Sequence, residues 1–507
     1  MKSPQSSASV KPGAALPNKN AAVAAVLPRR RDLFYGGEWH PPVSGQFFLS
    51  YNPATGEDLG TAADANAEDV DRAVRAAHAA FPAWRATPPS QRAKLLREAA
   101  QRLRAAANDL ALLDAADCGN PARAMVGDVQ ASAAALEFFA GLVTEMKGET
   151  IPMGTGILNY TLREPLGVVA RINPFNHPIM FAALKVAAPL AAGNTVVIKP
   201  AEQTPLSALA LAELWSDLFP AGVFNVITGR RETGAAISAH PLVAKVSLIG
   251  SIPTGRAVMR SAADTLKKLT LELGGKNALI AYPDVDPKKV AAGAVFGMNL
   301  KWTAGQSCGS TSRVFLHESI YDETLKHIVD EMSRLRCGLP TDPDCEVGCI
   351  VSREQFDKIM GYIRAGQEEG ARLACGGTQP EDPKLKNGAF ILPTVFAEVQ
   401  PTMRIAREEI FGPVLSVFRW RDEEEMFRAV NGVEQGLTAA IWTRDLARAH
   451  RAAARVEAGY VWINGSSSHF LGAPFGGYKQ SGLGREECLE ELLACTQIKN
   501  VNVTLEA

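Results

Sequence analysis

Between residues 195 and 282, four short segments that are apolar on both faces alternate with helical stretches: Thr195-Val-Val-Ile198, then 223–227, 246–249 and 279–282. A strand with one wet face alternates polar and apolar residues. Strands that are apolar throughout and separated by helices predict an α/β fold with a parallel sheet covered on both sides, because only there do both faces of a strand leave water. The second and third segments each run into a glycine and open into a helix. Thr204 is expected to cap a helix over 206–218, with Pro205 in its first turn. Upstream, 69–112 is rich in Ala, Arg and Leu at helical spacing and predicts two helices broken near Pro88-Pro89. No short internal repeat is present, which excludes a solenoid.

The 507 residues leave room for roughly three domains. Lys and Arg number 53 against 54 Asp and Glu, a net charge of −1, so the chain lacks the basic excess of a nucleic-acid binder. No apolar run approaches the roughly 18 residues that would span a membrane. The eight cysteines form no Cys-x-x-Cys pair and the eight histidines no His-Glu-x-x-His helix, so no metal site is expected. Reduced thiols in a cytoplasmic setting are the plain reading. The first 31 residues are basic and free of acid, with an apolar run too short for a secretory signal. They read as a disordered extension, with the folded part beginning near Asp32. The same composition suits a transit peptide, so organelle targeting stays open.

At the other end, 497–505 places Val501, Val503 and Leu505 at a period of two, a terminal strand whose apolar face must pair. The segment 158–163 (LNYTLR) is also extended in character. The two are expected to meet either across a subunit boundary or within one chain; the first would bury both segments in a homodimer or homotetramer.

Three residues carry chemistry. Cys308 sits among small, flexible neighbours in Gly305-Gln-Ser-Cys308-Gly-Ser, where a following helix N-terminus would lower its pKa and make it a nucleophile. Glu272 ends a strand-like run at Gly274-Gly275, placed to act as a general base for water. Asn176 is locked in the rigid turn Asn173-Pro-Phe-Asn-His-Pro178 and suits an oxyanion donor. Taken singly, each has a plainer reading: an inert core thiol, a salt-bridged acid and a turn former.

Together these motifs resemble the aldehyde dehydrogenase superfamily from about Asp32 to the end. In order they are the Asn-Pro-Phe-Asn-x-Pro turn at 173–178, Lys199-Pro-Ala-Glu202, Gly250-Ser-x-x-x-Gly255, Glu272-Leu-Gly-Gly275, Gly305-Gln-x-Cys308 and Glu409-x-Phe-Gly-Pro413. Pro474-Phe-Gly-Gly-x-Lys479 and Gly484-Arg-Glu486 follow. The resemblance implies that Cys308 attacks an aldehyde and that Asn176 and the Cys308 backbone N–H hold the oxyanion. It further implies that hydride passes to a nicotinamide and that Glu272 activates water to release the acid. Lys185 and Glu486 stand where the family places a second proton path.

For the cofactor, the resemblance assigns Lys199 and Glu202 to the adenosine ribose, Gly229 to the adenine side, and Gly250, Ser251 and Gly255 to the pyrophosphate. It assigns Glu409 and Phe411 to the nicotinamide ribose and ring, with Ile172 at the same crevice. A carboxylate at Glu202 repels a 2′-phosphate, so NAD is preferred to NADP. The channel mouth is implied to include His177, Phe181, Leu184, Trp302, Ser467, His469 and Phe475. It lacks the aromatic pair of betaine aldehyde enzymes and the arginine of succinic semialdehyde enzymes, and so suits a medium-sized apolar or aromatic aldehyde with a polar group. The implied architecture is a Rossmann-like cofactor domain (32–145 and 167–275), an α/β catalytic domain (276–489) and a small β oligomerisation extension (146–166 and 490–507). The alternatives are a cysteine hydrolase or a non-catalytic NAD-binding structural protein on the same fold.

Overall fold

The structure is a computed structural model that describes residues 21–505. Its frame is two sheets. The first has eight strands; its five central ones, Phe224–Val226, Thr195–Lys199, Val168–Ile172, Val243–Gly250 and Lys268–Leu273, lie parallel in that spatial order. Short antiparallel strands close both edges, Leu33–Tyr35 and then Glu38–His40 on one side and Gly482–Leu483 on the other. The second sheet has seven strands with Ala278–Ala281 and Arg313–His317 near its middle, parallel except for the edge strand Arg372–Cys375. Thr195–Lys199 and Ala278–Ala281 are buried at every residue, as strands covered on both faces must be.

Helices Ala67–Ala86 and Pro89–Ala105 flank the Pro88-Pro89 break. The helix predicted at 206–218 runs Leu206–Trp215, but Thr204 does not cap it: its hydroxyl has no partner among the described residues. The Leu206 N–H is taken by Asp117 Oδ2 at 3.1 Å, a tertiary substitute from a helix 89 residues away. The expectation of a disordered stretch through residue 31 also needs correction. Ala21–Val26 is a helix, Val23 is buried, and Arg31 donates to the Leu59 carbonyl at 3.2 Å. The rest of that extension, residues 1–20, lies outside the described residues.

The C-terminal strand Thr496–Thr504 pairs antiparallel with Ile157–Pro165 of the same chain along its whole length, from Thr496 opposite Pro165 to Thr504 opposite Ile157. Of the two pairings left open for these segments, the structure has the one within a single chain. Leu158, Leu162 and Ile498 remain exposed on the resulting three-stranded sheet.

Among the described residues, no helix is long and apolar enough to cross a membrane, and no group of three or more His, Cys, Asp and Glu could hold a metal ion. All eight cysteines are free.

Candidate active site

Sheet order creates the crevice. From Val168–Ile172 the chain adds Thr195–Lys199 and Phe224–Val226 on one side, then crosses to add Val243–Gly250 and Lys268–Leu273 on the other. Open α/β sheets bind ligands beyond the carboxyl ends of the strands at such a reversal. Ile172 pairs with Lys199 and with Leu248, and Ile249 pairs with Glu272, so four sequence-predicted positions (Ile172, Lys199, Gly250 and Glu272) line up at these ends. The amino ends of the second sheet face them. Cys308 precedes Arg313–His317, and Glu409 and Phe411 precede Val414–Trp420.

The turn after Glu272 stitches the two sides together. A side chain at Gly274 would fall 1.9 Å from Glu409 Oε2, and one at Gly275 would fall 2.7 Å from the Cys308 carbonyl oxygen. Only glycine lets the backbone pass between that carboxylate and the cysteine loop. Asn277 then anchors the loop: its Nδ2 donates to the carbonyls of Cys308 (2.7 Å) and Ser310 (2.9 Å).

No helix follows Cys308. A turn leads into strand Arg313–His317, and the four-residue helix Leu300–Thr303 precedes the cysteine. The expected lowering of the thiol pKa is thus not delivered by the fold. Burial pushes Cys308 up to about 12, with Glu272 and Glu409 adding to the shift and Lys185 opposing it. The thiol is protonated at rest, although Cys308 is only half-buried.

Behind Glu272 lies a buried charge network. Lys185 Nζ stands 3.6 Å from Glu272 Oε2 and donates to Glu486. Arg171 donates to Glu486 at 2.7 Å and to Glu491 at 3.0 Å. Two cations serve three carboxyls. Burial would raise Glu486, but Lys185 and Arg171 hold it well below the usual carboxylate range. Glu272 bears the deficit: burial, reinforced by Glu486, pushes it well above that range, and its Oε1 has no partner among the described residues. A carboxyl raised in this way is suited to act as a base near neutral pH.

Asn176 is buried, and its backbone carbonyl accepts from Asn120 at 2.8 Å, while its Oδ1 has no partner among the described residues. Its turn reaches both halves of the site. Phe175 meets Phe411 edge-on at 5.6 Å, and His177 meets Trp302 at 5.0 Å. Left-handed backbone at Asn299, Ala304, Phe411 and Ser467 (φ 55°, 52°, 59° and 55°) surrounds the same region; such strain persists where the surrounding structure over-determines it.

The predicted wall residues fall into two groups. His177, Phe181 and Trp302 pack together. His469 and Phe475 pack with Tyr460, and His469 Nδ1 lies 3.1 Å from Glu487. Among the described residues, no ring contact joins the two groups. Leu184 is buried, and the Ser467 hydroxyl donates to the Gly297 carbonyl at 3.3 Å.

The crevice fits a dinucleotide. Lys199 Nζ holds Glu202 Oε2 at 3.4 Å, and a cleft of about 380 Å³ opens beside Glu202, lined also by Asn52, Gln203 and Arg353. A side chain at Gly229 would strike the Thr233 hydroxyl at 2.0 Å. Ser251 caps the helix Ile252–Ala263, and Gly255 packs that helix on Leu273. Glu409 accepts the Gly275 N–H at 3.1 Å through one oxygen, and burial raises its carboxyl to about 7.

Sequence reasoning missed Asn277, Arg171 and Asp128. Only Asp128 carried a signal, an acid amid an otherwise apolar stretch of the helix Ala122–Gly141.

The sequence profile of the aldehyde dehydrogenase family matches residues 39–501, and the chain belongs to that family. It is 50% identical over 490 residues to aldehyde dehydrogenase tropH of Talaromyces stipitatus, covering 95% of each chain. To betaine aldehyde dehydrogenase of Mesorhizobium japonicum it is 44% identical, over 89% of this chain and 92% of the other. The crystal structure of betaine aldehyde dehydrogenase from Staphylococcus aureus in complex with NAD+ superposes with a TM-score of 0.92 at 34% identity, covering 96% of both chains.

Proposed function

We propose that this chain oxidises a medium-sized apolar or aromatic aldehyde, bearing a polar group, to the carboxylic acid with NAD. The observation that carries the reading is the Gly274-Gly275 turn, which follows Glu272 in the chain and packs against both Glu409 and the Cys308 loop. The Glu272 carboxylate takes the Cys308 proton as the sulfur bonds to the aldehyde carbon, and then releases that proton to solvent. The Asn176 amide and the Cys308 backbone N–H stabilise the oxygen that becomes negative. When bound, the dinucleotide supplies the hydride acceptor, so that the adduct on Cys308 becomes a thioester. Glu272 then takes a proton from water, the hydroxide adds to the thioester, and the acid leaves as Cys308 is regenerated. Lys185 and Glu486 lie behind Glu272 to pass that proton onward. Lys199 and Glu202 hold the adenosine ribose, and the Glu202 carboxylate disfavours a 2′-phosphate. The exposed apolar residues of the three-stranded sheet support assembly as a homodimer or homotetramer.

A panel of aldehydes followed by NADH absorbance, run in parallel with an ester substrate, tests the reading. NAD-dependent acid formation is expected. Ester hydrolysis with no NADH from any aldehyde would favour a cysteine hydrolase instead.

A further inference from the structure

Asp128 is fully buried, yet both of its oxygens are engaged. Trp302 Nε1 donates to Oδ1 at 2.7 Å, and His177 Nδ1 lies 2.8 Å from Oδ2. Among the described residues, no lysine or arginine pairs with it. Two ring N–H groups are thus what makes this buried carboxylate tolerable. Because a carboxylate only accepts, the His177 nitrogen that faces it carries the proton. The opposite nitrogen, Nε2, takes no partner among the described residues. The ring is held edge-on by Phe181 at 5.6 Å and 85° and by Trp302 at 5.0 Å and 77°. It therefore cannot turn without breaking both contacts and the bond to Asp128.

We propose that Asp128 is a positioning residue for substrate choice. By fixing the proton on Nδ1 of His177, it presents Nε2 as a hydrogen-bond acceptor on an otherwise aromatic wall. The wall then selects aldehydes that carry an O–H or N–H donor over those that carry only an acceptor at the same place. The inference rests on the aldehyde-oxidising reading and adds to it the polarity of the group the channel accepts.

Asp128→Asn tests it with almost no change of shape. The amide oxygen can still accept from Trp302, but its NH₂ now faces His177. The proton moves to Nε2 and the wall becomes a donor. The probes are the ortho, meta and para isomers of hydroxymethyl-benzaldehyde and of methoxymethyl-benzaldehyde, oxidised with NAD. In the starting protein, kcat/KM for the best hydroxymethyl isomer is expected to exceed that of its methoxymethyl partner by roughly tenfold, most of it in KM. In Asp128→Asn the ratio falls by about the same factor. A ratio taken within one variant is unaffected by partial loss of folded enzyme. Nitrogen NMR of histidine-labelled protein, with His177→Gln to assign the signal, reads the tautomer without any turnover. A proton on Nδ1 that shifts to Nε2 in Asp128→Asn supports the assignment. Should the variant not fold, the wild-type spectrum and ratio decide alone. A wild-type His177 with its proton on Nε2, or on both nitrogens, overturns the inference. A hydroxymethyl preference that is absent, or that survives Asp128→Asn unchanged, overturns it as well. Failure to oxidise any aldehyde overturns the functional reading itself, a separate result.

Discussion

Replacing Gly275 with alanine is expected to slow turnover by one to two orders of magnitude while leaving the protein folded. The added methyl would lie 2.4 Å from Asn277 Oδ1 and 2.7 Å from the Cys308 carbonyl oxygen, where ordinary contact begins at 3.4 Å. Neither neighbour is free to yield. Asn277 Nδ2 is committed to the Cys308 and Ser310 carbonyls, and its Oδ1 accepts the Thr438 N–H at 3.0 Å. The cysteine loop must therefore retreat by about 0.7 Å, the shortfall at its carbonyl. Misplacing a reacting group by about 1 Å costs roughly 100-fold, or about 2.7 kcal/mol of barrier; a shift of about 0.7 Å should cost on the order of 10- to 100-fold. The assay is steady-state NADH production, with thermal melting and NAD binding as controls. The loss should appear in kcat, since Lys199 and Glu202, proposed here to hold the adenosine ribose, do not touch the substituted turn. If Gly275→Ala keeps kcat within about threefold of wild type with an unchanged melting temperature, the turn does not set the position of Cys308.

Cys308→Ala should abolish NADH production and leave NAD binding near normal by fluorescence titration; substantial residual turnover would remove the proposed nucleophile. Glu272→Gln should release one burst of NADH in a rapid-mixing experiment and then stall at the thioester. Because Glu272 is raised well above the usual carboxylate range by burial and works as a base, wild-type turnover should fall as pH drops through its raised pKa. Unchanged steady turnover in Glu272→Gln would assign the water to another group. kcat/KM should be higher with NAD than with NADP, and Glu202→Gln should narrow the gap; equal efficiency in the starting protein refutes that role for Glu202. Deleting residues from Gln497 onward removes the partner of Ile157–Pro165 and leaves its edge open. Light scattering should show a smaller assembly than the parent, and an unchanged subunit count would separate this sheet from assembly.

What could be read without coordinates was local. The apolar segments near 195, 223, 246 and 279 declare strands, and the Pro88-Pro89 break declares a helix boundary, because periodicity and backbone restriction act within a few residues. The motif positions 176, 272 and 308 could be singled out for the same reason: each chemistry has a short turn signature. Tertiary structure decided what those signatures face. Whether the C-terminal strand pairs within one chain depends on where residues 157–165 travel, which no nearby residue encodes. The helix at Leu206 takes its cap from Asp117, and the local Thr204 stays unpartnered. Above all, the protonation of the site is a long-range property. Lys185 meets Glu486 across 301 positions and Arg171 meets Glu491 across 320, and Cys308 lies near Glu272 and Glu409 in a crevice that keeps out much of the water. A pKa depends on burial and on the charges a few ångströms away. Those are fixed only when distant segments pack, so the sequence could single out Cys308 and Glu272, while the fold decided that burial raises the pKa of both.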